Sequence, residues 1–98
     1  MTAFVQLVEF STSRFDEMQK FHEEWRESNP DRLLGWSITA QDRDNPGKYV
    51  AIVHFENYDV AMKNSEDPRT SDYAAKMQEL SDGEVRFTNL DVVETEGM

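Results

Sequence analysis

The sequence predicts a single α+β domain, residues 1–98, whose elements follow the order βαββαβ. Four segments rich in β-branched and aromatic residues alternate with two segments whose apolar residues recur every three or four positions. The chain has 98 residues, an ordinary size for one domain. Hydrophobic residues make up 38% of it and charged residues 31%, which is typical of a globular protein.

The first strand and the first helix are expected near the N-terminus. Residues 3–10, AFVQLVEF, predict a strand. Ser13 is a suitable helix N-cap, and Asp16 favours the positive helix N-terminus. The helix is expected to run to about Ser28, because Asn29-Pro30 stops it. Its apolar stripe consists of Phe15, Met18, Phe21, His22 and Trp25.

A hairpin is expected in the middle of the chain. Residues 33–43 and residues 49–56 predict the second and third strands. Between them, Asp44-Asn45-Pro46-Gly47 is dense in turn-forming residues. Two strands joined by so short a turn pair in antiparallel fashion.

A second helical region follows the hairpin. Residues 58–64 predict a short helical stretch, and a new start follows at Asp67 as N-cap and Pro68 as first helical residue. The region is expected to end at Asp82-Gly83. By their spacing, its inward-facing residues are Tyr73, Met77 and Leu80.

The fourth strand completes a ferredoxin-like arrangement. Residues 84–94 predict this strand, and residues 95–98 predict a frayed tail. The order βαββαβ is that of the split-βαβ fold, a four-stranded antiparallel sheet with two helices on one face.

Both faces of the predicted sheet are apolar. In the first strand Phe4 and Val8 point to one face, while Val5 and Leu7 point to the other. The helices cover one face only, so we expect a homodimer in which two sheets pair into an α/β barrel. The alternative is a monomer that tolerates some exposed Val and Leu.

Charge and composition exclude several classes of function. The net charge is −10 and no segment concentrates Lys or Arg, so nucleic acid and anionic membrane surfaces are not expected partners. The chain has no cysteine, which excludes disulfides, thiolate catalysis and cysteine-bound zinc. Neither a signal-peptide pattern nor a membrane-length apolar stretch is present, so a cytoplasmic protein is expected.

Residues 49–62 form a strand that runs directly into a helix. Phe55 ends the strand, and the pair Ala61-Met62 opens the helix. In these features the chain resembles the dimeric α/β-barrel proteins, in the branch that includes the antibiotic-biosynthesis monooxygenases. The resemblance extends from Phe4 to about Val93 and implies the fold and the dimer described above.

That family includes oxygenases that act without a cofactor on polycyclic phenols or quinols, haem-degrading oxygenases, isomerases and members without known activity. The haem-degrading type has an Asn, a Trp and a His where this chain has Gln6, the Asn64-Ser65 region, and Lys76 or Met77. The resemblance therefore implies a small monooxygenase-like protein that binds and oxidises a flat aromatic, polyketide-like or quinol-like molecule without a cofactor. The alternative is a non-catalytic ligand-binding or interaction module with the same dimeric fold.

The two histidines, His22 and His54, are the candidate catalytic residues, since a His can act as a general base near neutral pH. His22 could face a pocket or be a partly buried helix residue. His54 would line the pocket only if Phe55 faced away from the helices. The two lie 32 positions apart without a local pairing motif, so no metal site is expected.

Four further residues are candidates for substrate binding. Trp25, Trp36 and Tyr73 could form an aromatic slot for a flat ligand, although aromatic residues at helical spacing are more often core. Asn64 and Tyr73 are candidates because the second helix shapes the pocket in the oxygenases that the chain resembles.

Overall fold

The computed structural model describes residues 2–31 and 35–97. Within these ranges the elements follow the predicted order, with the second helical region divided into two helices. The strands are β1 Phe4–Ser11, β2 Trp36–Gln41, β3 Lys48–Phe55 and β4 Arg86–Asp91. The helices are α1 Phe15–Ser28, α2 Tyr58–Glu66 and α3 Pro68–Leu80.

The four strands form one antiparallel sheet in the order β2-β3-β1-β4. β1 and β3 lie in the centre, and β2 and β3 form the predicted hairpin, in which Ile38 stands opposite Ile52. This strand order and the helices between the strands confirm the predicted ferredoxin-like α+β fold.

The helices pack against one face of the two central strands. The buried residues of these strands are Phe4, Val8, Phe10, Tyr49, Ala51 and Phe55. Met18 of α1 and Met77 of α3 are buried with them, at 0% and 2% exposure. The predicted alternation of the first and third strands is therefore confirmed, with Phe55 on the side of the helices.

The opposite face of the sheet, called the open face here, carries the remaining residues of each strand. The cross-strand register aligns these residues in three rows, Trp36–His54–Val5–Leu90, Ile38–Ile52–Leu7–Thr88 and Ala40–Val50–Glu9–Arg86. Ile38 is 55% exposed and Leu90 is 42% exposed, so one chain presents apolar area to solvent at both edges of this face. Glu9 and Arg86 form an ion pair of 3.8 Å at one end.

The predicted cap of the first helix is wrong and that of the third is right. Arg14, not Ser13, is the N-cap of α1, and no side chain caps this end. The Thr12 hydroxyl accepts a hydrogen bond from the Arg14 N–H at 2.9 Å, so it bonds the N-cap residue itself and not the N–H groups of the first helical turn. Asp67 caps α3 by accepting from the Arg69 N–H at 2.9 Å, and Pro68 follows as predicted.

Two strands are shorter than predicted. β2 ends at Gln41, because the next residue, Asp42, starts the turn. Its carboxylate accepts hydrogen bonds from the backbone N–H groups of Asp44 and Asn45. The predicted start of this strand at residues 33–34 lies outside the described residues. β4 covers Arg86–Asp91, since its partner β1 begins opposite Asp91. No helix in the described ranges is both long and apolar enough to span a bilayer.

Candidate functional site

A cavity of about 150 Å³ lies between the sheet and the helices. Its apolar walls are Val8, Trp25, Ala51, Val53, Phe55, Ala74, Met77 and Phe87. Ala51 and Ala74 leave space that longer side chains would fill. Ser37, Thr39 and Phe87 are exposed and also line the cavity, so it opens to solvent.

His22 and Tyr73 form a hydrogen-bonded pair in the lining of this cavity. The Nε2 atom of His22 on α1 lies 2.9 Å from the Oη atom of Tyr73 on α3. The two rings are stacked at 19° with centroids 5.6 Å apart. The helical spacing of each residue predicted that it faces inward. It did not predict the hydrogen bond between them, because the two residues are 51 positions apart in the chain.

The environment of His22 disfavours its protonated form. Burial, followed by the nearby positive charge of Arg26, lowers the pKa of His22 from 6.5 to about 4. His22 is therefore neutral at pH 7 and carries one ring N–H. In the tautomer with the proton on Nδ1, Tyr73 donates to Nε2, and His22 can accept the tyrosine proton.

Trp25 and Asn64 also line the cavity. The ring of Trp25 lies 5.2 Å from that of Tyr73 and 6.3 Å from that of Phe21. Asn64 belongs to α2, and its backbone carbonyl accepts the hydroxyl of Thr70 at the start of α3. The structure thus brings together four of the proposed site residues, His22, Trp25, Asn64 and Tyr73.

Trp36 and His54 lie on the open face, away from this cavity. Their rings are stacked at 13° with centroids 4.8 Å apart. Because Phe55 packs under the helices, its neighbour His54 must point to the other side of the sheet. This placement removes His54 and Trp36 from the lining of the cavity in one chain.

Arg69 was missed by the sequence analysis and organises one end of the cavity. Its guanidinium donates to Asp67 at 2.6 Å, to Asp31 at 2.9 Å and to the side chain of Asn29 at 3.0 Å. Hydrogen bonds from Arg69 hold the pKa values of the Asp31 and Asp67 carboxyls below their usual range. These contacts tie the start of α3 to the segment after α1. Residue spacing gives no signal for them, since Asp31 and Arg69 are 38 positions apart.

Arg26, the other arginine of the lining, could have been found from sequence because it follows His22 by four positions on one helix face. Within the described ranges, no group of three or more His, Asp or Glu side chains is arranged to hold a metal ion.

We expect Trp25→Ala to lower the free energy of unfolding more than His22→Ala. The Trp25→Ala substitution removes contacts with two aromatic rings and leaves a large void. At this half-buried position it should lower the free energy of unfolding by ~2–4 kcal/mol. His22→Ala should cost about 1 kcal/mol, because a smaller and more polar side chain is removed. Urea unfolding midpoints of the two variants measure the difference. A larger loss for His22→Ala would show that the His22–Tyr73 pair supports the fold.

Comparison with known proteins gives matches in structure but not in sequence. No family model matches the chain, and no curated protein sequence matches it. A mutant of SnoaB, a cofactor-independent oxygenase from Streptomyces nogalater, superposes with a TM-score of 0.81 at 14% identity, over 97% of each chain. A protein from Caulobacter crescentus, described as a candidate antibiotic biosynthesis monooxygenase, matches with a TM-score of 0.78 at 12% identity, over 95% of this chain and 92% of that one.

A similarly described protein from Deinococcus radiodurans matches with a TM-score of 0.76 at 11% identity, over 97% of each chain. These similarities extend over nearly the whole chain, and at such low identity they establish the fold. The resemblance to the antibiotic-biosynthesis-monooxygenase branch is thereby confirmed at the level of the fold. The chain therefore shares the ferredoxin-like α+β fold of these proteins.

Proposed function

We propose that this protein binds a flat aromatic molecule in the cavity and oxidises it with dioxygen, without a cofactor. The observation that carries the proposal is the His22–Tyr73 hydrogen bond of 2.9 Å in the lining of a largely apolar cavity. Base catalysis requires a titratable group next to the bound substrate, and this pair provides one. A pocket that only binds a ligand has no need of such a group. The cofactor-independent oxygenase activity of SnoaB, a protein of the same fold, supports the proposal.

The proposed chemistry assigns one role to the pair and another to the walls. A phenolic or enolic substrate gives its proton to the oxygen of Tyr73 as the tyrosine proton moves to Nε2 of His22. The resulting anion gives electrons to dioxygen. One oxygen atom enters the ring as a carbonyl and replaces two hydrogens, which leave with the second oxygen atom as water. The apolar walls orient the ring and keep bulk water away from the anion.

A non-catalytic ligand-binding protein of the same fold is the second candidate. It is favoured by the low pKa of His22, about 4, because so weak a base holds a proton poorly near neutral pH. Binding in the cavity would then be the whole function.

Turnover of anthrone separates the two candidates. Anthrone is a flat tricyclic ketone with a phenolic tautomer, and its ring methylene becomes a carbonyl on monooxygenation. With labelled dioxygen, we expect protein-dependent label in the anthraquinone product, measured by mass spectrometry. Tyr73→Phe and His22→Gln should slow it by about 100-fold, the usual scale of a lost proton-transfer group.

Tyr58→Phe is the matched control, because Tyr58 is 51% exposed and its ring contacts Phe4 away from the cavity. It should leave the rate unchanged. Binding of anthrone without oxidation would favour the second candidate. Equal rates in the Tyr73→Phe variant and the unmodified protein would contradict the proposed role of the pair.

We further propose that the protein is a cytoplasmic homodimer whose subunits pair through their open faces. The apolar rows of that face, with Ile38 at 55% exposure, support pairing, because such an area is costly to leave in water. In that dimer Trp36 and His54 would lie at the subunit interface.

A further inference from the structure

The charges that line the cavity differ in sign from the charge of the whole protein. The net charge of the chain is −10, but among the residues that the structure describes, the charged residues of the lining are two arginines and a single aspartate. His22 is neutral near pH 7, since its pKa is about 4. The described lining residues therefore carry one more positive than negative charge, in a molecule whose net charge is −10.

The two arginines are not equivalent. The guanidinium of Arg69 is held by Asp67 and Asp31, with N–O distances of 2.6 and 2.9 Å. Its charge is neutralised within the protein. Arg26 has no ion-pair partner within 4.0 Å in the described part of the chain, where the ion pairs involve Arg14, Arg69, Lys76 and Arg86.

Arg26 is placed to act on a molecule inside the cavity. It lies one helical turn beyond His22 on the same face of α1, and both residues line the cavity. Trp25, the residue before it, provides an aromatic wall of the same cavity. A guanidinium is a preferred partner for carboxylates because it donates two parallel hydrogen bonds to them.

We propose that the ligand is a flat aromatic acid whose carboxylate or comparable anionic group pairs with Arg26, with its rings against the apolar walls of the cavity. This inference rests on the proposed function, because it takes the cavity to be the ligand site, and it specifies the chemical class that the cavity selects. Electrostatic attraction to Arg26 discriminates against neutral molecules of the same shape.

Two probes of the same shape test the inference, 2-naphthoate and its neutral analogue 2-naphthamide. Their dissociation constants can be measured by titration calorimetry at low salt. We expect the unmodified protein to bind naphthoate about 10-fold more tightly than naphthamide, the scale of one charge-assisted hydrogen-bonded pair. Arg26→Gln should abolish this preference by weakening naphthoate alone, and Arg26→Lys should restore part of it.

Arg43→Gln is the matched control, since it removes the same charge from an exposed position in the β2–β3 turn. It should leave the preference for naphthoate intact. Equal affinity for the two probes, or equal weakening of both by Arg26→Gln, would overturn the inference while leaving the cavity as a ligand site. Failure of both probes to bind would overturn the cavity as the ligand site and the inference with it.

Discussion

Ile38→Glu is expected to convert the proposed dimer to a folded monomer. Ile38 lies in the middle row of the open face and is 55% exposed in one chain. A glutamate there remains solvated in the monomer, so the fold should persist. In a two-fold pairing of open faces, the substitution would place two carboxylates in the apolar interface.

Burying an unpaired carboxylate costs several kcal/mol, so the dimer dissociation constant should rise by at least about 100-fold. Sedimentation equilibrium at micromolar concentration measures this change. The unmodified protein should sediment at twice the chain mass of 11.4 kDa, and the variant at that mass. Circular dichroism checks that the variant is folded.

Ala75→Glu is the matched control, because it introduces the same charge at an exposed position of α3. It should remain a dimer. A monomeric unmodified protein at micromolar concentration, or an Ile38→Glu variant that stays dimeric, would refute the pairing of open faces.

The central strands could be read from sequence because their side chains alternate strictly. Phe4 and Val8 against Val5 and Leu7 defined two apolar faces before any contact was known, and the structure confirms that division. The same alternation fixed the relation between Phe55 and His54. The alternation did not determine whether Phe55 or His54 faces the helices, because this depends on how Phe55 packs against Phe4 and Ala61. The structure places Phe55 there and His54 on the open face.

The candidate site was less predictable because its contacts join distant parts of the chain. Helical spacing placed His22 and Tyr73 on inward faces, but their hydrogen bond depends on how α1 packs against α3. The cluster around Arg69 has the same origin. The misassigned cap at Ser13 also involves a distant contact. Thr12, one residue earlier, donates its hydroxyl to the carbonyl of Leu80, 68 positions along the chain, at 2.7 Å, and accepts a hydrogen bond from the Arg14 N–H.

The free energy of unfolding should fall as the pH is lowered from 6.5 to 4, because of His22. This effect adds to that of the carboxyl groups of the protein. The pKa of His22 is lowered from 6.5 to about 4 on folding, first by burial and then by Arg26. Above pH 6.5 the residue is neutral in both states and contributes no pH dependence. Between these two values the unfolded chain binds a proton that the folded chain does not, so stability falls as pH falls.

The expected contribution of His22 is about 1–2 kcal/mol by pH 4, after allowance for its partial exposure to solvent. His22→Gln cannot bind the proton, so the stability advantage of the unmodified protein over this variant should shrink by that amount between pH 7 and pH 4. Urea unfolding curves at several pH values measure the difference. Tyr73→Phe is the control: it removes the hydrogen bond but retains most of the burial, so it should keep most of the pH dependence. A His22 ring that titrates near pH 6.5 in the folded protein, followed by nuclear magnetic resonance, would contradict the lowered pKa from which this pH dependence follows.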